Sequence, residues 1–169
     1  HIFFKDHYGL VGEQRYDPLP PIHHMSAKDY LNINPQYKNY FKFSFIRNPF
    51  DRFVSAYSDF SQIRNIDLGS FSSFCEEFPH SKFSKDIHWI PQNELLCDDV
   101  GNIIPDFVGR YENLNDDLKT ISDIIGIDIN IGHHRKTNRT YYKQMFSSKT
   151  RDIIENFFSV DLNIFDYEF

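Results

Sequence analysis

Arg47 and Ser55 are the two residues whose types and spacing most directly suggest chemistry. They lie in the run Phe45-Ile46-Arg47-Asn48-Pro49-Phe50-Asp51-Arg52-Phe53-Val54-Ser55-Ala56-Tyr57. A guanidinium and a hydroxyl facing one anion would make a phosphate site. The neighbouring residues say how they could be positioned. Phe41 to Ile46 is apolar and aromatic enough for an interior strand. Asn48 suits a helix N-cap and Pro49 the first helical position, where its missing N–H costs nothing. Phe50, Phe53, Val54 and Tyr57 then recur at helical spacing, with Asp51, Ser55 and Asp59 on a different face. Arg47 would thus stand at the carboxyl edge of a sheet, where open α/β folds bind ligands. The plainer alternative is a strand–helix corner, with Arg47 solvated or paired with an acid.

A second concentration of charge lies near the C-terminus. Between His133 and Arg151 there are no acids, while Arg135, Lys136, Arg139, Lys143, Lys149 and Arg151 are all cationic. The stretch from Asp98 to Asp128 is the opposite, with eight acids against Arg110 and Lys119. The whole chain carries −6, which argues against general nucleic-acid binding. A local basic segment on an acidic protein is what a small polyanion needs; the alternative is a solvated basic face. Cys75 and Cys97 have no metal-like spacing and could either pair or remain buried thiols. No Walker-type glycine-rich loop or metal-carboxylate pairing is present to indicate a nucleotide kinase.

The elements that must position these groups can be read from periodicity and punctuation. The 169 residues amount to one domain, 1–169, and a hydrophobic share of 40% with 17% aromatics argues against disorder. No apolar run reaches the roughly 18 residues that cross a bilayer, and the first residues do not form a signal peptide. Any membrane anchor is expected outside the chain. Residues 1–22 read as loop, and Ser26 to Leu31 as a short helix with Ser26 and Asp29 in capping-box spacing. A strand at 41–46 leads to a helix over about 49–63, with a further helix near 70–78 capped by Ser70. Residues 88–96 contain Pro91 and form a short helix or turn; residues 106–110 form a second buried strand. Leu114, Leu118, Ile121 and Ile125 line one face of a helix over 113–125, and helices near 147–158 and 160–166 close the chain. Short strands alternating with helices predict an α/β layer structure with parallel strands.

The Arg47–Ser55 run resembles the 3′-phosphate-binding motif of sulfotransferases that use 3′-phosphoadenosine 5′-phosphosulfate (PAPS). It is most similar to the carbohydrate branch, sulfotransferase family 2-like, in which Arg-Asn/Asp-Pro leads to a serine eight residues on. Asp106-Phe107-Val108-Gly109-Arg110-Tyr111-Glu112-Asn113-Leu114 resembles the Asp-Phe-Val-Gly-Arg-Phe-Glu-Asn-Leu block of that family. Asp161 to Phe169 resembles its closing Asp-Ile-x-x-Phe-Gly-Tyr-x-Phe. The blocks occur in family order and cover roughly residues 23–169. Phe107, Val108, Phe165 and Tyr167 are expected to be core, and Gly109 to allow close backbone packing. His23-His24-Met25-Ser26-Ala27 is similar to the family's His-x-Ser/Thr-Ala segment, with the match on His24. Ile131 to Arg139 is similar to Leu-Pro-His-x-Asn-x-Ser/Thr-x-Arg, with Gly132 in place of the proline and Arg135 in place of the asparagine. His88, before Pro91-Gln92, belongs to a stretch resembling a family segment near the acceptor cleft.

The resemblance implies a P-loop-NTPase-like three-layer core with a central parallel sheet flanked by helices. It implies transfer of SO₃ from PAPS to a hydroxyl of a carbohydrate or similar acceptor, leaving adenosine 3′,5′-bisphosphate, with no metal. Arg47 and Ser55 would hold the 3′-phosphate. Arg135, Lys136, Thr137 and Arg139 would belong to a loop closing over the nucleotide. His24 would take the acceptor proton as the O–S bond forms, a task suited to a neutral imidazole; His88 is the rival. The family's Lys-x-Gly/Ala-Gly-Thr-Ser-type loop for the 5′-phosphosulfate is not found, since Lys5 is followed by Asp6-His7-Tyr8-Gly9. Either the chain starts after that loop or half the cofactor site is lost, in which case it is a non-catalytic nucleotide- or glycan-binding module. The compartment is open: cytoplasm, or a Golgi lumen with an anchor outside the chain.

Overall fold

The computed structural model describes residues 25–129 and 141–169, so the loop reading of 1–22 lies outside the described residues. The first helix, α1 (Ala27–Ile33), starts with the reciprocal cap that Ser26 and Asp29 predict. The Ser26 hydroxyl oxygen accepts the Asp29 N–H at 3.1 Å, and the Asp29 carboxylate accepts the Ser26 N–H in return. Strand β1 (Phe43–Ile46) is two residues shorter than the apolar run. Before it, the Lys42 carbonyl already takes N–H bonds from Asp106 and Phe107, so the pairing starts at that point without a full ladder.

Helix α2 (Pro49–Ser58) follows at once, with the Asn48 side chain accepting the Phe50 N–H at 3.0 Å. The helix predicted to run to 63 is α-helical only to Ser58; Asp59–Ile63 forms a π turn. There the Ser61 hydroxyl donates to the Tyr57 carbonyl at 2.7 Å, and the Arg64 N–H reaches back to Asp59. A side chain competing for a helix carbonyl is a recognised cause of such widening. Ser70 caps α3 (Phe71–Glu77) as expected, and Pro91 precedes α4 (Gln92–Leu96). Strand β2 (Phe107–Arg110) leads through a single 3₁₀ turn into α5 (Leu114–Ile125). Gly126 ends α5 at φ +68°, a left-handed position where glycine carries no Cβ penalty. Helices α6 (Ser148–Phe157) and α7 (Ser159–Ile164) complete the chain.

The described sheet has two strands, parallel and in register from Phe43↔Phe107 to Ile46↔Arg110. Helix α5 packs against β2, and Leu118 and Ile121 are its buried residues, two of the four predicted for that face. The main core is aromatic: Phe50, Phe53, Phe60, Phe74, Phe78, Trp89 and Phe158 pack together, with Phe53 and Trp89 fully buried. Ring pairs such as Phe53–Phe78, 4.9 Å apart at 90°, take the edge-to-face geometry that the ring quadrupole prefers. A smaller cluster of Ile46, Leu96 and Phe165 lies at the end of β1, with Val108 and Tyr167 packed on it. Phe107 is only half-buried. Cys75 and Cys97 are free and buried, which selects the thiol alternative.

Gly109 corrects one expectation. It admits a side chain and not a second backbone: a Cβ placed there would lie 2.5 Å from the ring of Phe45, its cross-strand neighbour. No described helix is long and apolar enough to cross a membrane.

Candidate functional site

Because the strands pair in register, the residues just after them meet. Arg47 follows Ile46, Tyr111 follows Arg110, and the guanidinium carbon of Arg47 lies 4.4 Å from the centroid of the Tyr111 ring. One residue further, the Asn48 N–H donates to Glu112 Oε1 at 2.7 Å. The other Glu112 oxygen accepts the Tyr167 hydroxyl at 2.8 Å, and the Asn48 amide donates to the Glu168 carbonyl at 2.7 Å. Burial and the bond to Glu112 together raise the Tyr167 phenol's pKa, so it stays a proton donor. The three sequence blocks around Arg47, Tyr111 and Tyr167 therefore close on one short segment.

The Arg47 side chain is half-buried and ion-paired. Its Nε donates to Asp51 Oδ2 at 2.5 Å, and Nη2 lies at the same distance from that oxygen. This is the acid-paired alternative read from the sequence, made by a carboxylate one turn into α2. Asp51 also suits its place, since a helix N-terminus favours an acid in the first turn. Among the described residues no acceptor engages Nη1, so part of the guanidinium fork remains available to an anion. Ser55 stands half-buried one turn beyond Asp51, and no hydrogen bond joins it to Arg47 among the described residues.

A cleft of about 350 Å³ opens beside this pair, lined by Asn48, Asp51, Glu112, Tyr141, Tyr142 and Tyr167. A larger hollow of about 500 Å³ lies at the C-terminal end of α5, between Asn115 and Ile129. Among the described residues neither hollow is lined by Arg47 or Ser55, but the smaller one is lined by Asp51, which pairs with Arg47, and by Asn48, which follows it. The cleft next to Arg47 is the candidate site.

Its frame includes residues that the sequence reading did not single out as functional. Gln92, buried at the start of α4, bonds both backbone groups of Arg47. Asp161, fully buried in α7, accepts the N–H groups of Gln92 and Asn93 at 2.6 and 2.7 Å. Burial raises the Asp161 pKa, against the lowering effect of those N–H bonds and of Arg52. Arg52 donates to the Ile90 and Ile87 carbonyls, and burial lowers its pKa to about 10, which still leaves it cationic. Only the Pro91-Gln92 resemblance and the i,i+4 spacing of Arg47 and Asp51 hinted at any of this.

His88 is held on both ring nitrogens. Nδ1 lies 2.7 Å from Asp86 Oδ1 and Nε2 lies 2.9 Å from Arg64 Nη2. Arginine can only donate, so Nε2 accepts and Nδ1 carries the proton towards Asp86. The lone pair that a base would use is therefore occupied. His24, Arg135, Lys136, Thr137 and Arg139 lie outside the described residues. Among the described residues no group of His, Cys, Asp or Glu could hold a metal ion.

The sulfotransferase family model matches the chain over residues 20–168, nearly its whole length. The chain belongs to that family, and is sulfotransferase family 2-like. Neither a curated protein nor a solved structure matches it.

Proposed function

We propose that the protein transfers a sulfuryl group from PAPS to a hydroxyl of a carbohydrate or similar acceptor. The observation that carries this reading is Arg47, held at the carboxyl end of a parallel strand beside a cleft, in a chain of the sulfotransferase family. In this reading the two described strands are part of a P-loop-NTPase-like three-layer core. The donor supplies an activated S–O bond, and the chain's own residues bind, orient and move a proton. Arg47 pairs through its remaining N–H groups with the 3′-phosphate, and Tyr111 backs the guanidinium. Ser55 adds a hydroxyl, Arg135, Lys136, Thr137 and Arg139 supply further donors, and His24 accepts the acceptor's proton. Positioning and charge stabilisation carry such a transfer, as in phosphoryl transfer.

A second reading is a non-catalytic nucleotide- or glycan-binding module, and one observation favours its glycan-binding form. Asp51 and Glu112 place two carboxylates on the cleft wall, and these oppose an anionic donor unless other cations offset them. Two measurements separate the readings. Isotope-labelled PAPS, offered with a panel of glycans, should label an acceptor; Arg47→Ala and His24→Ala should abolish most of the transfer. Calorimetry with adenosine 3′,5′-bisphosphate should show binding that Arg47→Ala weakens by about 10- to 100-fold, the range for a charged hydrogen bond. Binding without transfer selects the module, and full transfer by both variants overturns the assignment of residues.

A further inference from the structure

Gln92 treats Arg47 as a neighbouring strand would. Its Oε1 accepts the Arg47 N–H at 2.9 Å, and its Nε2 donates to the Arg47 carbonyl at 2.9 Å. Arg47 is the first residue after β1, where the ladder to β2 has ended, so its two backbone groups need partners from elsewhere. The Gln92 amide satisfies both at once. Nor is Gln92 free to drift: it is 6% exposed, and its own N–H is bound to the fully buried Asp161 at 2.6 Å. The next peptide is fixed independently, by the Asn48 N–H on Glu112. These hydrogen bonds hold the backbone of Arg47 on both sides, and the side chain leaves it towards Asp51 and Tyr111.

We propose that Gln92 is a positioning residue for anion recognition by Arg47. It fixes the backbone from which the guanidinium springs and makes no contact with the anion itself. The proposal rests on the reading of Arg47 as the partner of the donor's 3′-phosphate. Its physical basis is that a charged fork gains affinity only when held in place beforehand. Groups that hold a binding side chain commonly matter about 10-fold or more.

The test compares two nucleotides, adenosine 3′,5′-bisphosphate and adenosine 5′-phosphate, which lacks the 3′-phosphate. Calorimetry is run on the wild type, Gln92→Glu, Gln92→Met, Arg47→Ala and the Gln92→Met/Arg47→Ala pair. Urea unfolding followed by the fluorescence of Trp89, the single tryptophan, reports on folding. Gln92→Glu retains an acceptor for the Arg47 N–H and loses the donor; Gln92→Met loses both. Each Gln92 variant should lose about 10-fold in affinity for the bisphosphate and keep its affinity for the monophosphate within about 2-fold. In the Arg47→Ala background, Gln92→Met should cost less than about 2-fold more, because the residue it positions is gone. Equal losses for both nucleotides, or an undiminished loss in the Arg47→Ala background, would overturn the proposal. So would loss of cooperative unfolding in both Gln92 variants, which would make Gln92 a folding residue. If Arg47→Ala itself fails to distinguish the nucleotides, it is the 3′-phosphate reading that falls, and the positioning role with it. Selective loss in Arg47→Ala with none in the Gln92 variants removes the positioning role alone.

Discussion

Burial sets the chemistry of individual side chains here as much as residue type does. Cys75 is fully buried in the aromatic core, and desolvation pushes its thiol up to about 12. The thiolate is the reactive species, so Cys75 is inert at neutral pH in the folded protein. Iodoacetamide at pH 7 should leave Cys75 unmodified in buffer and alkylate it in denaturant, as read by peptide mass spectrometry. Rapid labelling of Cys75 in the native protein would contradict the packing described. Arg47 shows the converse. Asp51 on one side and the Tyr111 ring on the other hold a charged group whose Nη1 has no acceptor among the described residues. The spacing of Arg47 and Asp51 is visible in the sequence, whereas the ring of Tyr111 comes from 64 positions away, across the sheet.

At the scale of elements, the register of two short strands does most of the assembly. Pairing Ile46 with Arg110 brings Arg47 to Tyr111 and Asn48 to Glu112; a slip of one residue would break both contacts. Gly109 guards that register, because Phe45 lies over the space a Cβ would occupy. Gly109→Ala should therefore destabilise the protein by about 1–3 kcal/mol, the usual cost of overpacking. Urea midpoints followed by Trp89 fluorescence would measure it, and Phe45→Leu in the same chain should restore part of the loss. An unchanged midpoint in Gly109→Ala would mean that the two strands are not packed as described.

For the whole molecule, acid stability follows from where the carboxylates sit. Asp106 ties the start of β2 to the chain just before β1, accepting the Lys42 N–H and pairing with its ammonium, both at 2.7 Å. These contacts lower its pKa below the ordinary 3.8. Asp98 is lowered by Asn102 and nearby backbone N–H groups. Asp86 is lowered too: burial alone would raise it, and the His88 N–H and imidazole outweigh that. A carboxylate with a depressed folded pKa contributes stability above its unfolded value, and loses it as pH falls through the folded one. Asp161 has the opposite sign, since burial raises its pKa and its ionisation costs stability as pH rises above 3.8. Through Asp106, Asp98 and Asp86 the urea midpoint should fall as pH drops below the ordinary carboxylate range. Asp106→Asn should be less stable at neutral pH and show a shallower fall. An equally steep fall in that variant would remove Asp106 from the account.

Much of the architecture was decided within a few residues of itself, and so was readable in the sequence. Ser26, Asn48, Ser70 and Gly126 begin or end helices through their own side chains or backbone freedom, and the periodic apolar residues of α2 and α5 choose the buried face. The position of Arg47 at a strand end is of the same kind. Beyond Asp51, the tertiary structure alone decided what Arg47 meets. Gln92 lies 45 positions away and, like Tyr111 and Glu112, reaches Arg47 or Asn48 through strand register and helix packing. No local propensity encodes a hydrogen bond between residues so far apart. It exists only once the apolar faces are buried against each other and the unpaired backbone groups at the sheet's end must find partners.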